Sequence, residues 1–418
     1  MRDKWTPMIG LLVLLITGTL VYAIGIPPRP AAKAPDTKKA AVLTGWPQWM
    51  GPFRNWSSAE ASGQWPPKKK WEQSVGESDS SPILVGGKVY VTVLEAGKTT
   101  VKCLDAETGR AVWSKPDLGG RYGRFHRGDE ANYFGPLSTP ACDGTWLFTL
   151  SVDGDLSCWD AARGDKKWGF NLYDRYQMGT RRADRDYGYT SSPMLLAGTI
   201  VVEVGGNKGS VMAFRKSDGA EAGSWGSGQV GHSSGPSGPD GKVFFGPDFL
   251  WVSGTTIPWP TGFACNIATP AVSGNKVVCT SGYNVHKTVL FENGVQRWTT
   301  ARHEVVRSPV IYKGNVYLPG AKVTCLDLAT GKEKWNAAGA DCVIVTGDGR
   351  LITQGASLRL LDAETGKELS SLDGVPNGWP TAAFGEGKII CKSRSSVACF
   401  EVGKAAGRGP IGGMKGAD

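Results

Sequence analysis

A closing motif recurs along this chain, and it restricts the fold more than any other feature. It reads CLDAETGRAVW at 103–113, CWDAARGDKKW at 158–168 and CLDLATGKEKW at 325–335. LLDAETGKELS at 360–370 is a fourth copy, with Ser370 where the others have Trp. Looser forms end at Trp225, Trp259 and Trp298. Each close copy has the chemistry of a hairpin turn. An Asp (Asp105, Asp160, Asp327, Asp362) can accept from backbone N–H groups two or three residues on, and a Gly (Gly109, Gly164, Gly331, Gly366) supplies a positive φ. A Trp on the following strand (Trp113, Trp168, Trp335) offers a flat apolar face to a neighbouring sheet. Tandem repetition at this interval means an array of small supersecondary units.

A second element opens each unit. It is a Ser/Thr-Pro pair before a short apolar run, at Ser81-Pro82, Thr139-Pro140, Ser192-Pro193, Thr269-Pro270 and Ser308-Pro309, with Gly235-Pro236 as a variant. Proline suits a first strand residue, where no ladder donor is missed. Stretches such as Lys88-Val89-Tyr90-Val91-Thr92-Val93 follow, with the alternation of a packed strand. Each unit therefore reads as a four-stranded antiparallel sheet. Eight are expected, at about 80–115, 138–170, 191–226, 232–260, 268–300, 307–336, 340–372 and 378–403. The fold class is all-β, an eight-bladed propeller. A seven-bladed ring with a long insertion at the degenerate fourth unit is the alternative. The eighth unit lacks a closing Trp strand, and Lys69-Lys70-Trp71-Glu72-Gln73-Ser74-Val75 has that strand's look. A propeller that swaps chain ends in this way hides its sheet edges.

Composition agrees. The 418 residues include 58 Gly, 25 Pro and 16 Trp, and only 20% are charged, which excludes a coiled coil or helical bundle. The formal charge is +9, but residues 1–71 hold ten Lys/Arg against three acids, so the rest carries only +2. A near-neutral body does not suit a nucleic-acid binder.

Residues 8–26, MIGLLVLLITGTLVYAIGI, are uncharged and follow Arg2 and Lys4. As a helix they would reach about 28 Å, the thickness of a bilayer core. Residues 1–26 are expected to be an uncleaved signal anchor or, alternatively, a cleaved signal peptide. A tether rich in Pro, Ala and Lys, with the segment WPQWMGP, covers 27–68; the propeller covers 69–403 and a flexible tail 404–418. The expected location is the periplasmic side of the cell envelope. Four of the nine cysteines (Cys103, Cys158, Cys325, Cys399) occupy one repeated strand position, so they are expected to be buried thiols in separate units. Cys391 and Cys399 flank a hairpin, and that pair stays open.

The repeat with its closing Trp resembles the tryptophan-docking repeats of the PQQ-like, or quinoprotein-like, β-propellers over about 69–403. Trp46-Pro47-Gln48-Trp49-Met50-Gly51-Pro52 is similar to the segment leading many envelope members. Two branches of that family imply different functions. The nearer one, on blade length and spacing, is the non-catalytic outer-membrane assembly factor of the BamB type, a protein-binding scaffold for which no cofactor is expected. The other is the quinoprotein dehydrogenases, whose resemblance implies PQQ with Ca²⁺ in the central funnel. The adjacent Cys-Cys pair of the alcohol dehydrogenases is absent here. Asp79 and Asn266 stand where funnel ligands could sit.

Two long loops, 121–135 and 171–189, mix Arg, Asp, Tyr and His and are expected on one face of the ring. Arg121, Arg124, His126, Arg181 and Arg182 would contact anions there, and Tyr189 would stack. His232, Asn266, His303 and Arg307 precede later inner strands and, with Asp79, complete an expected funnel-mouth site. A carbohydrate- or polyanion-binding module is a third reading. Expected partners are envelope proteins or a small ligand at the funnel, the membrane through 8–26, and no nucleic acid.

Overall fold

A computed structural model describes residues 45–117, 135–176, 188–206, 208–228, 235–262 and 265–403. The chain divides into units 1–39 and 40–418, and the first lies wholly outside the described residues, as do the expected anchor at 8–26 and the tail at 404–418. Among the described residues no helix is long and apolar enough to cross a membrane.

The described chain forms eight antiparallel sheets, in chain order spanning 83–116, 141–171, 194–225, 243–258, 271–300, 310–340, 342–373 and 383–401. Numbered 1 to 8, they are the blades of a propeller, and the only helix among the described residues is the single turn Leu172–Tyr176. Seven sheets have four strands. Blade 4 departs from the expected four-stranded pattern: it has three, with a lone Ser237–Val243 bridge in place of an innermost strand. Its opening stretch, GPSGPDG, has two prolines without N–H donors, and little ladder can form there. The outermost strand of blade 8 is Lys68–Ser74, paired antiparallel with Ser396–Glu401 from the other end of the chain.

Inner strands are buried in full at Ile83–Val85, Cys342–Val345 and Ala383–Gly385, and in part at Ala271–Ser273 and Val310–Tyr312. Outer strands are mostly exposed or half-buried, and some of them bury a single residue. In Lys68–Ser74 that residue is Trp71, and in Val295–Thr300 it is Trp298. Each indole packs on the turn glycine of the following blade. A Cβ on Gly109 would lie 2.7 Å from Trp71, one on Gly164 2.7 Å from Trp113, one on Gly219 2.8 Å from Trp168, and one on Gly331 2.7 Å from Trp298. Trp335 covers Gly366 in the same manner. These turn glycines have φ near +70°, which a side chain would strain. The indole Nε1 then donates to a carbonyl of that turn: Trp71 to Ala106 (3.0 Å), Trp113 to Ala161 (3.1 Å), Trp168 to Lys216 (2.8 Å) and Trp298 to Leu328 (2.8 Å).

The turn aspartates hold the acceptor hairpins in shape. Asp105 Oδ1 accepts from the N–H groups of Glu107 and Thr108 and from the Thr108 hydroxyl, and Asp327 and Asp362 repeat the pattern. The Lys88 ammonium, bonded to the Asp105 carboxylate, helps to hold it down at about 2.

All nine cysteines are free and buried. Burial pushes the Cys103, Cys158, Cys325 and Cys399 thiols up to about 12, far from the thiolate form that reacts. Cys399 stands opposite Ile390, while Cys391 stands opposite Ala398. Adjacent positions on a strand face opposite sides, so this register keeps the two sulfurs apart.

Candidate functional site

Two structures meet at the axis of the ring: a belt of hydroxyls and a segment of the chain that precedes the first blade. The belt comes from the Ser/Thr-Pro positions. The Thr381 N–H donates to Ser81 Oγ (2.9 Å), that of Ser81 to Thr139 Oγ1 (3.3 Å), that of Thr139 to Ser192 Oγ (3.0 Å) and that of Thr269 to Ser308 Oγ (3.0 Å). Each bond crosses from one blade to the next. At blade 4 the repeat has Gly235-Pro236, and at blade 7 it has Asp341-Cys342, so neither supplies a belt hydroxyl.

Residues 45–64 run along the inner strands, whose edges would otherwise face the axis unpaired. Three successive residues reach three successive blades. Trp46 exchanges backbone bonds with Leu84 (2.7 and 3.0 Å), the Pro47 carbonyl accepts from Cys142 N–H (2.8 Å), and Gln48 Oε1 accepts from Leu195 N–H (2.8 Å). Trp49 Nε1 donates to Thr269 Oγ1 of blade 5 (3.2 Å). Further on, Trp56 and Ser58 bracket Val345 of blade 7, and Glu60 accepts from Glu386 and Gly387 N–H of blade 8. Between these contacts sits Arg54, buried and with φ +50°. Its guanidinium donates to the carbonyls of Pro236 (2.7 Å), Ser192 (3.2 Å) and Pro193 (3.3 Å), joining blades 3 and 4 where the belt is interrupted. Burial lowers its pKa to about 9, the nearby Glu203 charge opposes that shift, and it stays charged at neutral pH.

At the second interruption the axis is not filled. A cavity of about 270 Å³ opens there, lined by Trp49, Trp56 and Trp379, by Arg307 and Asp341, and by neighbours that include Ser308, Asn377 and Thr381. Ser308, Asp341 and Thr381 occupy the same repeat position in blades 6, 7 and 8. Arg307 donates through Nε (3.0 Å) and Nη2 to one oxygen, Asp341 Oδ1. Trp49 and Trp56 meet edge to face, with centroids 5.0 Å apart. Trp379 is 57% exposed, the most exposed large apolar side chain among the described residues.

Of the residues expected at the mouth, Arg307 lines this cavity. Asp79 is buried and pairs with Arg394 (3.5 Å). Asn266 is buried, and its Nδ2 donates to the Gly246 carbonyl (3.0 Å). His303 stacks on His286 at 4.7 Å, its Nδ1 beside the Ala301 carbonyl. Tyr189, expected to stack on a ligand, is fully buried among Phe148, Tyr173 and Phe214, with its hydroxyl donating to the Val204 carbonyl (2.9 Å). An inner-strand loop placed its ring in the packing between blades 2 and 3. Arg121, Arg124, His126, Arg181, Arg182 and His232 lie outside the described residues. Sequence reasoning missed Trp49, Trp56, Asp341 and Trp379. Asp341 had a signal, since it breaks the Ser/Thr pattern of the opening element.

These residues do not fit PQQ with Ca²⁺. Calcium takes about six to eight oxygen ligands, with carboxylates prominent. The cavity offers one carboxylate, Asp341, already bonded to Arg307. Asp79 pairs with Arg394, Asn266 is not among the residues that line the cavity, and no cluster of three His, Cys, Asp or Glu suited to a metal occurs among the described residues.

Comparison with known proteins gives two kinds of match. The family model described as outer membrane protein assembly factor BamB matches residues 97–225 and 207–343, more than half of the chain. Among solved structures, a quinohemoprotein alcohol dehydrogenase from Comamonas testosteroni aligns with TM-score 0.57 and 13% identity, over 90% of this chain and 83% of that one. A europium-containing methanol dehydrogenase aligns with TM-score 0.58 and 11% identity, over 85% and 90%. At such identities the likeness is one of fold. No curated protein matches the sequence.

Proposed function

This chain belongs to the PQQ-like propeller family described as outer membrane protein assembly factor BamB, and we propose that it serves as an exported binding scaffold of the bacterial cell envelope. The observation that carries this reading is the segment that braces the axis. Residues 45–64 bond to the inner parts of blades 1, 2, 3, 4, 5, 7 and 8, and Arg54 joins two of them. A propeller braced in this way offers rigid surfaces and one small cavity, which suits binding better than turnover.

On the same reading residues 8–26 hold the protein at the membrane, and the pairing of 68–74 with 396–401 closes the ring. Removing 8–26 releases the protein from the membrane fraction; a mature chain starting near Ile24 would show cleavage instead. For the function itself, full-length protein is crosslinked in envelope extract and, separately, incubated with PQQ and Ca²⁺ under dye-reduction assay with alcohols and sugars. A discrete protein adduct without turnover is expected. Turnover without an adduct would replace the scaffold with a quinoprotein dehydrogenase.

A further inference from the structure

The cavity at blades 6 to 8 has a composition that selects its ligand. Its charges cancel, since the Arg307 guanidinium and the Asp341 carboxylate are bonded to each other. An anion gains little beside an arginine that is already paired, and a cation gains little beside that carboxylate. Yet the pair is not saturated. Both guanidinium contacts go to Asp341 Oδ1, and among the described residues neither Asp341 Oδ2 nor Arg307 Nη1 has a hydrogen-bond partner. The pair thus keeps one charged acceptor and one charged donor unused, and hydroxyls of one ring can bond to both. The amide of Asn377 adds one more donor and acceptor.

The remaining walls are indoles. Trp49 and Trp56 floor the space, and Trp379 stands exposed at its rim. An indole face carries negative quadrupole density that attracts slightly positive C–H groups, so it binds a flat ring bearing C–H on one face and hydroxyls on its edge. The volume, about 270 Å³, is near the lower end of ligand pockets, which begin at about 300 Å³. It admits a ring, not an extended peptide.

From this we infer that the cavity is a binding site for one neutral sugar ring, held between Trp379 and the Trp49–Trp56 floor with vicinal hydroxyls on Asp341 and Arg307. The inference deepens the scaffold reading by naming what the scaffold holds. The ring could belong to a free sugar or to an envelope glycan.

Saturation-transfer NMR on the full-length chain tests it, with methyl glycosides of glucose, galactose and N-acetylglucosamine, then with purified peptidoglycan glycan strands. At least one glycoside binds saturably, with a dissociation constant on the order of 1 mM. Trp379→Ala and Asp341→Asn each weaken it about tenfold, roughly one good contact, and Trp379→Phe restores most of the loss. Trp379 is exposed, so its variants keep the fold, which circular dichroism checks. Tighter binding of glycan strands identifies the polymer as the source, and equal affinity identifies the free sugar. No binding by any neutral glycoside overturns the inference, as does binding that both substitutions leave unchanged. Stronger binding of glucuronate, inorganic phosphate or a tryptophan-containing peptide at the same residues also overturns it. Pure sugars report on the cavity alone, so this test and the protein-crosslinking test fail separately.

Discussion

The outer rim and the axis hold the same ring together by different means. At the rim, one device is repeated. An exposed strand buries a single Trp, which covers the next blade's glycine and bonds its turn. At the axis, one non-repeated segment makes a different bond to each blade it meets, and a single arginine bridges two of them. The rim spreads its stability over many equivalent contacts, and the axis concentrates it. Loss of one rim contact is therefore local, whereas loss of an axial contact is felt by several blades.

The largest expected effect is Arg54→Ala. It leaves three buried carbonyls without their donor and removes the positive charge near Glu203, and destabilises by about 3–5 kcal/mol. Urea unfolding measures this, and Arg54→Lys recovers only part, since an ammonium cannot span the three acceptors. A loss no greater than that of a rim tryptophan would erase the contrast. Next is Trp298→Ala, at about 3 kcal/mol. The informative partner is Ser370→Trp, which restores the repeat in blade 7 yet gains nothing. Blade 8 has no turn between its third and fourth strands, because the fourth comes from residues 68–74. A clear gain would mean that an acceptor surface exists there after all.

Gly331→Ala sits lower, at about 2 kcal/mol, from a φ of +70° and a Cβ 2.7 Å from Trp298. A pH dependence comes from two half-buried or buried groups. Burial raises the Glu304 carboxyl from 4.5 to about 7, with Arg307 opposing. Between those values the folded state holds the proton that the unfolded chain has lost, so stability falls as pH rises through that window. Burial lowers Lys392 from 10.5 to about 7, with Asp79 opposing. There the unfolded chain holds the extra proton, so stability rises with pH from about 7 to 10.5. Thermal unfolding across pH has its minimum near 7. Glu304→Gln flattens the acid limb and Lys392→Met the alkaline limb, each without touching the other.

The rim was readable because it is periodic. Asp327, Gly331 and Trp335 stand at the same spacing as Asp105, Gly109 and Trp113, and each residue type has one use in a tight turn or a flat contact. The axis was not readable, because its partners are far away in sequence: Arg54 meets Ser192 and Pro236 only after four blades have closed around it. Tyr189 shows the same limit from the other side. A polar aromatic before an inner strand fits a ligand surface or the core equally well, and only the position of Val204 decides between them.

The residues alone determined the repeated blade unit, the turns and the indoles between neighbours, since local spacing sets local hydrogen bonding and each unit can bury its face only against the next. Tertiary structure decided what fills the centre. The inner strand edges need partners, no repeat unit can supply them to itself, and the chain brings in residues 45–64 to meet that demand, with a cavity where Asp341 replaces a hydroxyl.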